Sequence, residues 1–417
     1  MEHRGAAAEP FGRGRKRRMP FGDLVAAAAG GDASLYLTTQ EAAVGPDGHP
    51  EVFAPPASRL AADFPLRPAL LGALVPQAVN VWMGCAPEGA SSGLHHDFHD
   101  NLYALLRGKK RFRLFPPSLL ERMYTHGTPL RVHPNGRVVY EGQGDVGADG
   151  ADVKEAARWQ AQRRAERGLQ AAEAAAASGA EGGQARLRAA NRALDAVLEA
   201  ALDDGFDSIQ DDFEELDGEG GGPAAGAGGD PPSFSRVDLS LPPRELRARF
   251  PLFPGAAAAL ECEVGEGQML YLPAGWSHEV TSFSGPRAAA GDGPRRDGRQ
   301  APASSSHLAL NYWVHPPDNL DPSPAGYAAP YRSTYWEEVW AGREQRYEAM
   351  AAGANRMEEG PPQRGRGAKG GTAPGRGREL SPGARAHALR GMRGCFGFGR
   401  RQHLCHFVGF RVREDSR

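Results

Sequence analysis

Short apolar runs, most of them alternating with polar residues at a period of two, fill two stretches of this chain and are missing from the rest. Val79-Asn80-Val81-Trp82-Met83-Gly84 predicts a buried strand and Ser34-Leu35-Tyr36-Leu37 a shorter one. Asn101–Leu106 and Arg111–Phe115, on either side of a turn at Gly108, predict a β-hairpin that Pro116-Pro117 ends. Leu260–Val264, Met269–Leu272 and His307–Val314 predict further strands. Helical spacing is scarce in these stretches: Phe21–Val25 suggests a short helix, and the aromatic run Tyr335–Trp340 a closing one. Many short strands, turn-rich joints and few core helices predict an all-β sandwich or barrel. No internal repeat is apparent.

Composition divides the 417 residues further. With 55 Gly, 34 Pro and only 8% aromatics, much of the length cannot contribute to a packed core. Residues 1–18 are a polar lead-in and 19–142 the first part of a domain. Residues 143–233 are a low-complexity insert, with a helix-prone stretch at 152–203, an acidic block at 203–219 and near-pure Gly/Ala at 218–229. Residues 234–345 are the second part of the domain, with a disordered loop expected at 285–306, and 346–417 a basic Gly/Arg-rich tail. The net charge of −2 carries no global attraction to nucleic acid or membrane. No apolar run is long enough to span a bilayer. Four cysteines make no disulfide framework, which suits a cytoplasmic or nuclear setting. Arg15-Lys16-Arg17-Arg18 reads as a solvated basic tail or a nuclear-import cluster. Cys395, His403, Cys405 and His406 lack the close pairing of a zinc site and read as an ordinary tail.

The chemistry centres on His95 and Asp97, in Leu94-His95-His96-Asp97-Phe98-His99-Asp100-Asn101, and on a distant His278 in Pro273-Ala274-Gly275-Trp276-Ser277-His278. Two histidines and one carboxylate are the ligand set of the facial triad that holds non-haem Fe(II) and leaves positions open for cosubstrate and O₂. On a strand, His95 and Asp97 share a face and His96 points away. His99 and Asp100 compete for the ligand role on spacing alone. Lys110 lies across the expected hairpin turn, where it could meet the far carboxylate of 2-oxoglutarate. Equally, Lys109-Lys110-Arg111 could be a solvent-facing basic turn.

In order along the chain, Leu94-His95-His96-Asp97, Asn101-Leu102-Tyr103, Gly108-Lys109-Lys110-Arg111-Phe112, Leu114-Phe115-Pro116-Pro117, Gly267–His278 and Asn311-Tyr312-Trp313 resemble the core of JmjC-domain (cupin-like) Fe(II)/2-oxoglutarate oxygenases. The likeness is nearest to the small protein hydroxylases, of the factor-inhibiting-HIF type and the JmjC lysyl hydroxylases. It implies a double-stranded β-helix, or jelly roll, with peripheral helices and disordered inserts. It maps the iron ligands onto His95, Asp97 and His278, and the 2-oxoglutarate contacts onto Lys110, Tyr36, Ser92, Asn101 and Asn311. Trp276 is then structural and Trp82 core. Relatives also carry covering strands and helices ahead of the segment matching Phe21–Ala28, so either this chain begins late or that layer is absent, which would leave edge strands exposed.

The activity implied is 2-oxoglutarate- and O₂-dependent hydroxylation of a protein or peptide side chain. A JmjC histone N-methyl-lysine demethylase uses the same machinery and is the alternative within the enzyme class. A non-catalytic cupin-like scaffold, acting through the acidic insert and basic tail, is the alternative outside it. Small JmjC hydroxylases also imply a homodimer formed through a C-terminal helix, here the one expected at Tyr335–Trp340.

Overall fold

The computed structural model describes residues 2–3, 15–37, 40, 42–46, 48–60, 63–211, 230–285, 306–358 and 407–409. In chain order the first half gives β1 (Glu2–His3), β2 (Arg15–Lys16), α1 (Phe21–Ala29), β3 (Leu35–Leu37), β4 (Pro76–Cys85), β5 (Ala90–Ser91), β6 (Asp100–Arg107) and β7 (Lys109–Phe115). A small hairpin follows, β8 (Pro129–Val132) and β9 (Val138–Tyr140), and then two long helices, α2 (Val153–Ala177) and α3 (Gly183–Asp211). The second half supplies α4 (Pro243–Arg249), β10 (Leu260–Val264), β11 (Gln268–Leu272), β12 (Ser277–Phe283), β13 (Ser306–Val314), α5 (Pro324–Ala328), α6 (Tyr335–Glu358) and β14 (Phe407–Gly409).

Two antiparallel sheets make the core. One runs β14-β11-β6-β13-β4-β3-β1-β2 and the other β10-β7-β12-β5. From β6 to β13 the two halves interleave, and β6/β7, β10/β11 and β12/β13 each place consecutive strands in opposite sheets. This is the winding of a jelly roll. The hairpin expected about Gly108 is therefore corrected. β6 and β7 do not pair; β6 pairs with β11 and β13, and β7 with β10 and β12. A single residue separates the strands, whereas a tight hairpin needs two central residues. Gly108, at φ +87°, makes a corner between sheets, and a Cβ there would fall 2.4 Å from the carbonyl oxygen of Phe283.

Side chains from both sheets, among them Leu105, Phe112, Leu114, Val264, Leu270 and Ala309, fill the space between them. A larger apolar cluster lies outside the β14-to-β2 sheet, where α1 and α6 pack. The aromatic face of α6, with Tyr335, Trp336, Val339, Trp340 and Tyr347, recurs at helical spacing and is buried in that cluster. Trp336 stacks on His315 at 3.4 Å between ring centroids and donates from its indole to the Asp149 carbonyl at 3.1 Å. The apolar stripe of this helix thus packs on its own domain. The helix also continues past the domain end expected at Gln345, as far as Glu358.

The helix-prone stretch at 152–203 is two helices, broken at Ser178–Gly182, where Gly179 and Gly182 take positive φ. Asp152 caps α2 by accepting from the Glu155 amide at 2.8 Å. The start of α2 is fastened to α6: Tyr335 donates to Glu155 at 2.6 Å, and Arg163 pairs with Glu338 at 3.2 Å. Leu35–Leu37 are all buried, and β1 pairs with Leu35 and Tyr36 on the side away from β4. The Gly/Ala tract, most of the loop at 285–306, and Cys395, His403, Cys405 and His406 lie outside the described residues. No described helix is long and apolar enough to cross a membrane.

Gly275, just before β12, is pressed against Gly136. At φ +73°, a Cβ on Gly275 would sit 1.8 Å from the Gly136 carbonyl oxygen. Gly275→Ala is expected to cost about 3 kcal/mol, read as a lower urea midpoint, because neither backbone can yield without moving the strand that carries His278.

Candidate metal centre

His95 and His278 are joined through their backbones. The His95 amide donates to the His278 carbonyl at 3.0 Å and the His278 amide to the His95 carbonyl at 2.6 Å. His95 lies in isolated antiparallel bridges, to His278 on one side and Phe234 on the other, rather than in the longer strand the sequence suggested, and Asp97 follows without regular secondary structure. The imidazole rings are 4.3 Å apart between centroids, and His278 Nε2 is 3.9 Å from Asp97 Oδ2. One ligand atom from each of the three residues falls within 4.8 Å of the other two, and this is the one such His/Cys/Asp/Glu cluster among the described residues.

Each histidine is fixed in one tautomer. His95 Nδ1 bonds the Gly93 carbonyl at 3.0 Å, and His278 Nδ1 the Trp276 carbonyl at 2.9 Å. An Nδ1–H donating to a carbonyl leaves Nε2 as the lone-pair ligand, the arrangement a divalent metal requires. Burial holds the His95 imidazole down to about 4, helped by neighbouring His278 and opposed by Asp97, so it is neutral at pH 7. Burial pushes the Asp97 carboxyl up, but His278, His95 and the Asn101 amide together outweigh it and leave it below the ordinary carboxylate value. A neutral imidazole and an ionised carboxylate are the forms in which such groups bind a cation. The donor set therefore fits Fe(II).

The triad opens into a pocket of about 560 Å³, including its solvent-filled mouth, between the two sheets. Period-two geometry selects its walls. His278, Val280 and Ser282 share one face of β12, Lys110 and Phe112 one face of β7, Asn101 and Tyr103 one face of β6, and Asn311 and Trp313 one face of β13. Register puts Ser282 directly opposite Lys110, and Lys110 Nζ donates to Ser282 Oγ at 2.5 Å. Lys110 is 1% exposed, so the reading of a solvent-facing basic turn is excluded. Its ammonium also lies 5.9 Å from the Tyr36 ring, 6.0 Å from the Tyr103 ring and 3.4 Å from His307 Nδ1.

A family model described as a cupin-like domain matches residues 6–319. The chain belongs to the cupin-like domain family. JmjC domain-containing protein 4 of Schizosaccharomyces pombe is 33% identical over 333 residues, covering 69% of this chain and 66% of that protein. Lysine-specific demethylases JMJ32 and JMJ30 of Arabidopsis thaliana are 39% and 42% identical over 54 residues. Those stretches are 13% of this chain and 15% and 12% of the plant proteins.

Within the cupin-like domain, Asn101 and Asn311 line the pocket and also form a relay. Trp82 Nε1 donates to Asn311 Oδ1 at 2.8 Å, Asn311 Nδ2 to Asn101 Oδ1 at 3.0 Å, and Asn101 Nδ2 to Asp97 Oδ2 at 3.1 Å. Trp82, read from the sequence as core, is thus a wall of the pocket and the start of the chain that aims Asp97. Ser92 faces the pocket while its hydroxyl accepts from the Val280 amide at 2.9 Å, which ties the approach to His95 onto β12.

The competing ligands of the cupin-like domain are engaged elsewhere. His96 is buried, bonded through Nε2 to the Tyr140 hydroxyl at 2.6 Å. His99 stacks on Trp313 at 6.1 Å, and burial lowers it to about 3. Asp100 accepts from the Ala274 amide at 2.8 Å and from the Tyr271 hydroxyl, and burial raises it to about 6 against both bonds. Arg137 donates to the Phe98 carbonyl, and the Gly275 amide to the Asp97 carbonyl at 3.0 Å. The loop between Asp97 and Asn101 is therefore pinned at several points. Sequence reasoning missed Tyr103, Ser282 and Trp313, although each sits two or four residues from a named position on its own strand.

Proposed function

We propose that this chain is an Fe(II)- and 2-oxoglutarate-dependent dioxygenase that hydroxylates a protein side chain. One observation carries the reading: His95, Asp97 and His278 share a pocket with a fully buried Lys110, which sits beside Ser282 on the same sheet as His278. When bound, Fe(II) with 2-oxoglutarate and O₂ supplies oxidation coupled to decarboxylation, giving succinate, CO₂ and one oxygen inserted into a substrate C–H bond. His95 and His278 present Nε2, Asp97 presents a carboxylate oxygen, and Asn101 holds that carboxylate in place. The Lys110 ammonium, with Ser282 and Tyr36 beside it, binds the far carboxylate of a five-carbon diacid by a charge-assisted contact. From His278 to Ser282 is about 13 Å of strand, a gap that the long Lys110 side chain shortens. The apolar walls from Phe112 and Val280 keep water from the space between.

The second reading, an N-methyl-lysine demethylase, is favoured by the short stretch shared with the two Arabidopsis lysine-specific demethylases. Both readings require Fe(II)-dependent succinate release with candidate peptides. Mass spectrometry of the peptide separates them: the expected result is the gain of one oxygen atom, and loss of a methyl group with formaldehyde would establish the second reading instead.

A further inference from the structure

The chain returns from its long excursion between the two halves of the domain at Pro231–Ser235, and it returns onto the first histidine of the triad. The Phe234 ring lies nearly parallel to that of His95, with centroids 4.8 Å and planes 13° apart, and the two residues form an antiparallel bridge. Hydrogen bonds lock the limb on both sides: His96 N donates to Ser233 O at 3.2 Å, Ser235 N to Leu94 O at 2.8 Å, and His126 N to Phe234 O at 2.8 Å. Core packing does not account for the ring. It is half-buried and belongs to none of the apolar clusters among the described residues, although Val237, a few residues on, enters one. A phenyl ring that could turn inward instead covers a polar imidazole.

We propose that Phe234 is a positioning residue for the metal, acting through His95. The Gly93 carbonyl holds one edge of the imidazole, and Phe234 holds its face and keeps water off it, so that Nε2 has one direction in which to point. The metal centre is then built from three chain segments, the third being the return limb of the insert. This rests on the metal-centre reading above. Partners that orient a metal ligand from behind typically change affinity by about 10–100-fold, and an aromatic stack falls at the low end of that range.

The test is Co(II) titration of the metal-free full-length chain, followed by visible absorption, with a chelator chase for the release rate and an unfolding midpoint of the metal-free protein in parallel. Phe234→Ala is expected to weaken Co(II) binding about tenfold, equivalent to about 1.4 kcal/mol, and to speed release to match. Phe234→Tyr, which keeps the ring, stays within about twofold of wild type. Phe234→Leu keeps bulk without the ring, so it weakens binding as Ala does while holding the midpoint, which serves if the Ala variant fails to fold. Pro232→Ala, on the same limb but packed on Gly127, leaves affinity unchanged. Wild-type affinity in the Ala and Leu variants, or a Tyr variant as weak as Ala, overturns the role of Phe234 alone. A wild-type chain that binds no Co(II), or binds it equally after Asp97→Ala, overturns the metal centre and this inference together.

Discussion

Asp97→Ala is expected to abolish Fe(II)-dependent succinate formation, with a loss well beyond the ~10–100-fold typical of residues that only support a ligand. The carboxylate is the sole anionic member of the triad, so without it only two imidazoles would face a dication. The loss propagates outward, since Asn101 Nδ2 forfeits its acceptor at the end of the relay from Trp82. Succinate release at saturating Fe(II) and 2-oxoglutarate, with circular dichroism as the control for folding, checks the result. Turnover equal to wild type would remove Asp97 from the ligand set.

Lys110→Met is expected to raise the KM for 2-oxoglutarate by about 10²–10³-fold, the scale of losing one partner of a buried charge pair. Methionine is close in volume to lysine, so the space between Phe112 on the same strand and Tyr103 in the other sheet stays filled. Metal affinity, read by Co(II) titration, stays at the wild-type value because Lys110 is opposite Ser282 and not opposite His278. Ser282→Ala removes one hydrogen bond that the ammonium donates to an uncharged hydroxyl and is expected to change the KM only about tenfold or less. Equal effects from the two substitutions would mean that Lys110 acts by packing rather than by charge.

The local elements of this protein are legible in its sequence. The strands at 79–84, 101–106, 111–115, 260–264, 269–272 and 307–314 follow from period-two patterns, and the helix at Tyr335 from its aromatic spacing. Which sheet each strand joins is not legible, because alternation assigns a face and not a neighbour. For that reason the Gly108 corner reads as a hairpin, and Lys110 is expected on a strand paired with Asn101–Leu106 rather than in the opposite sheet. The triad emerges from residue chemistry and from the resemblance, while its supports do not. Asp100 looks like a rival ligand until Ala274 and Tyr271 are seen to claim it. Phe234 carries no signal at all, since a lone phenylalanine after a Gly/Ala tract resembles the start of a core strand.

The mutual backbone bonds of His95 and His278 also set an order of events during biosynthesis. The first ligand leaves the ribosome 183 residues ahead of the third, so a nascent chain displays two donors and no complete site through much of translation. Loop-closure entropy grows only with the logarithm of that separation, which lets the long helices intervene without preventing closure. On the proposed reading, a complete metal site would exist only in a chain whose β12 has already been laid against β7, and metal-poor protein would be folded protein awaiting an ion.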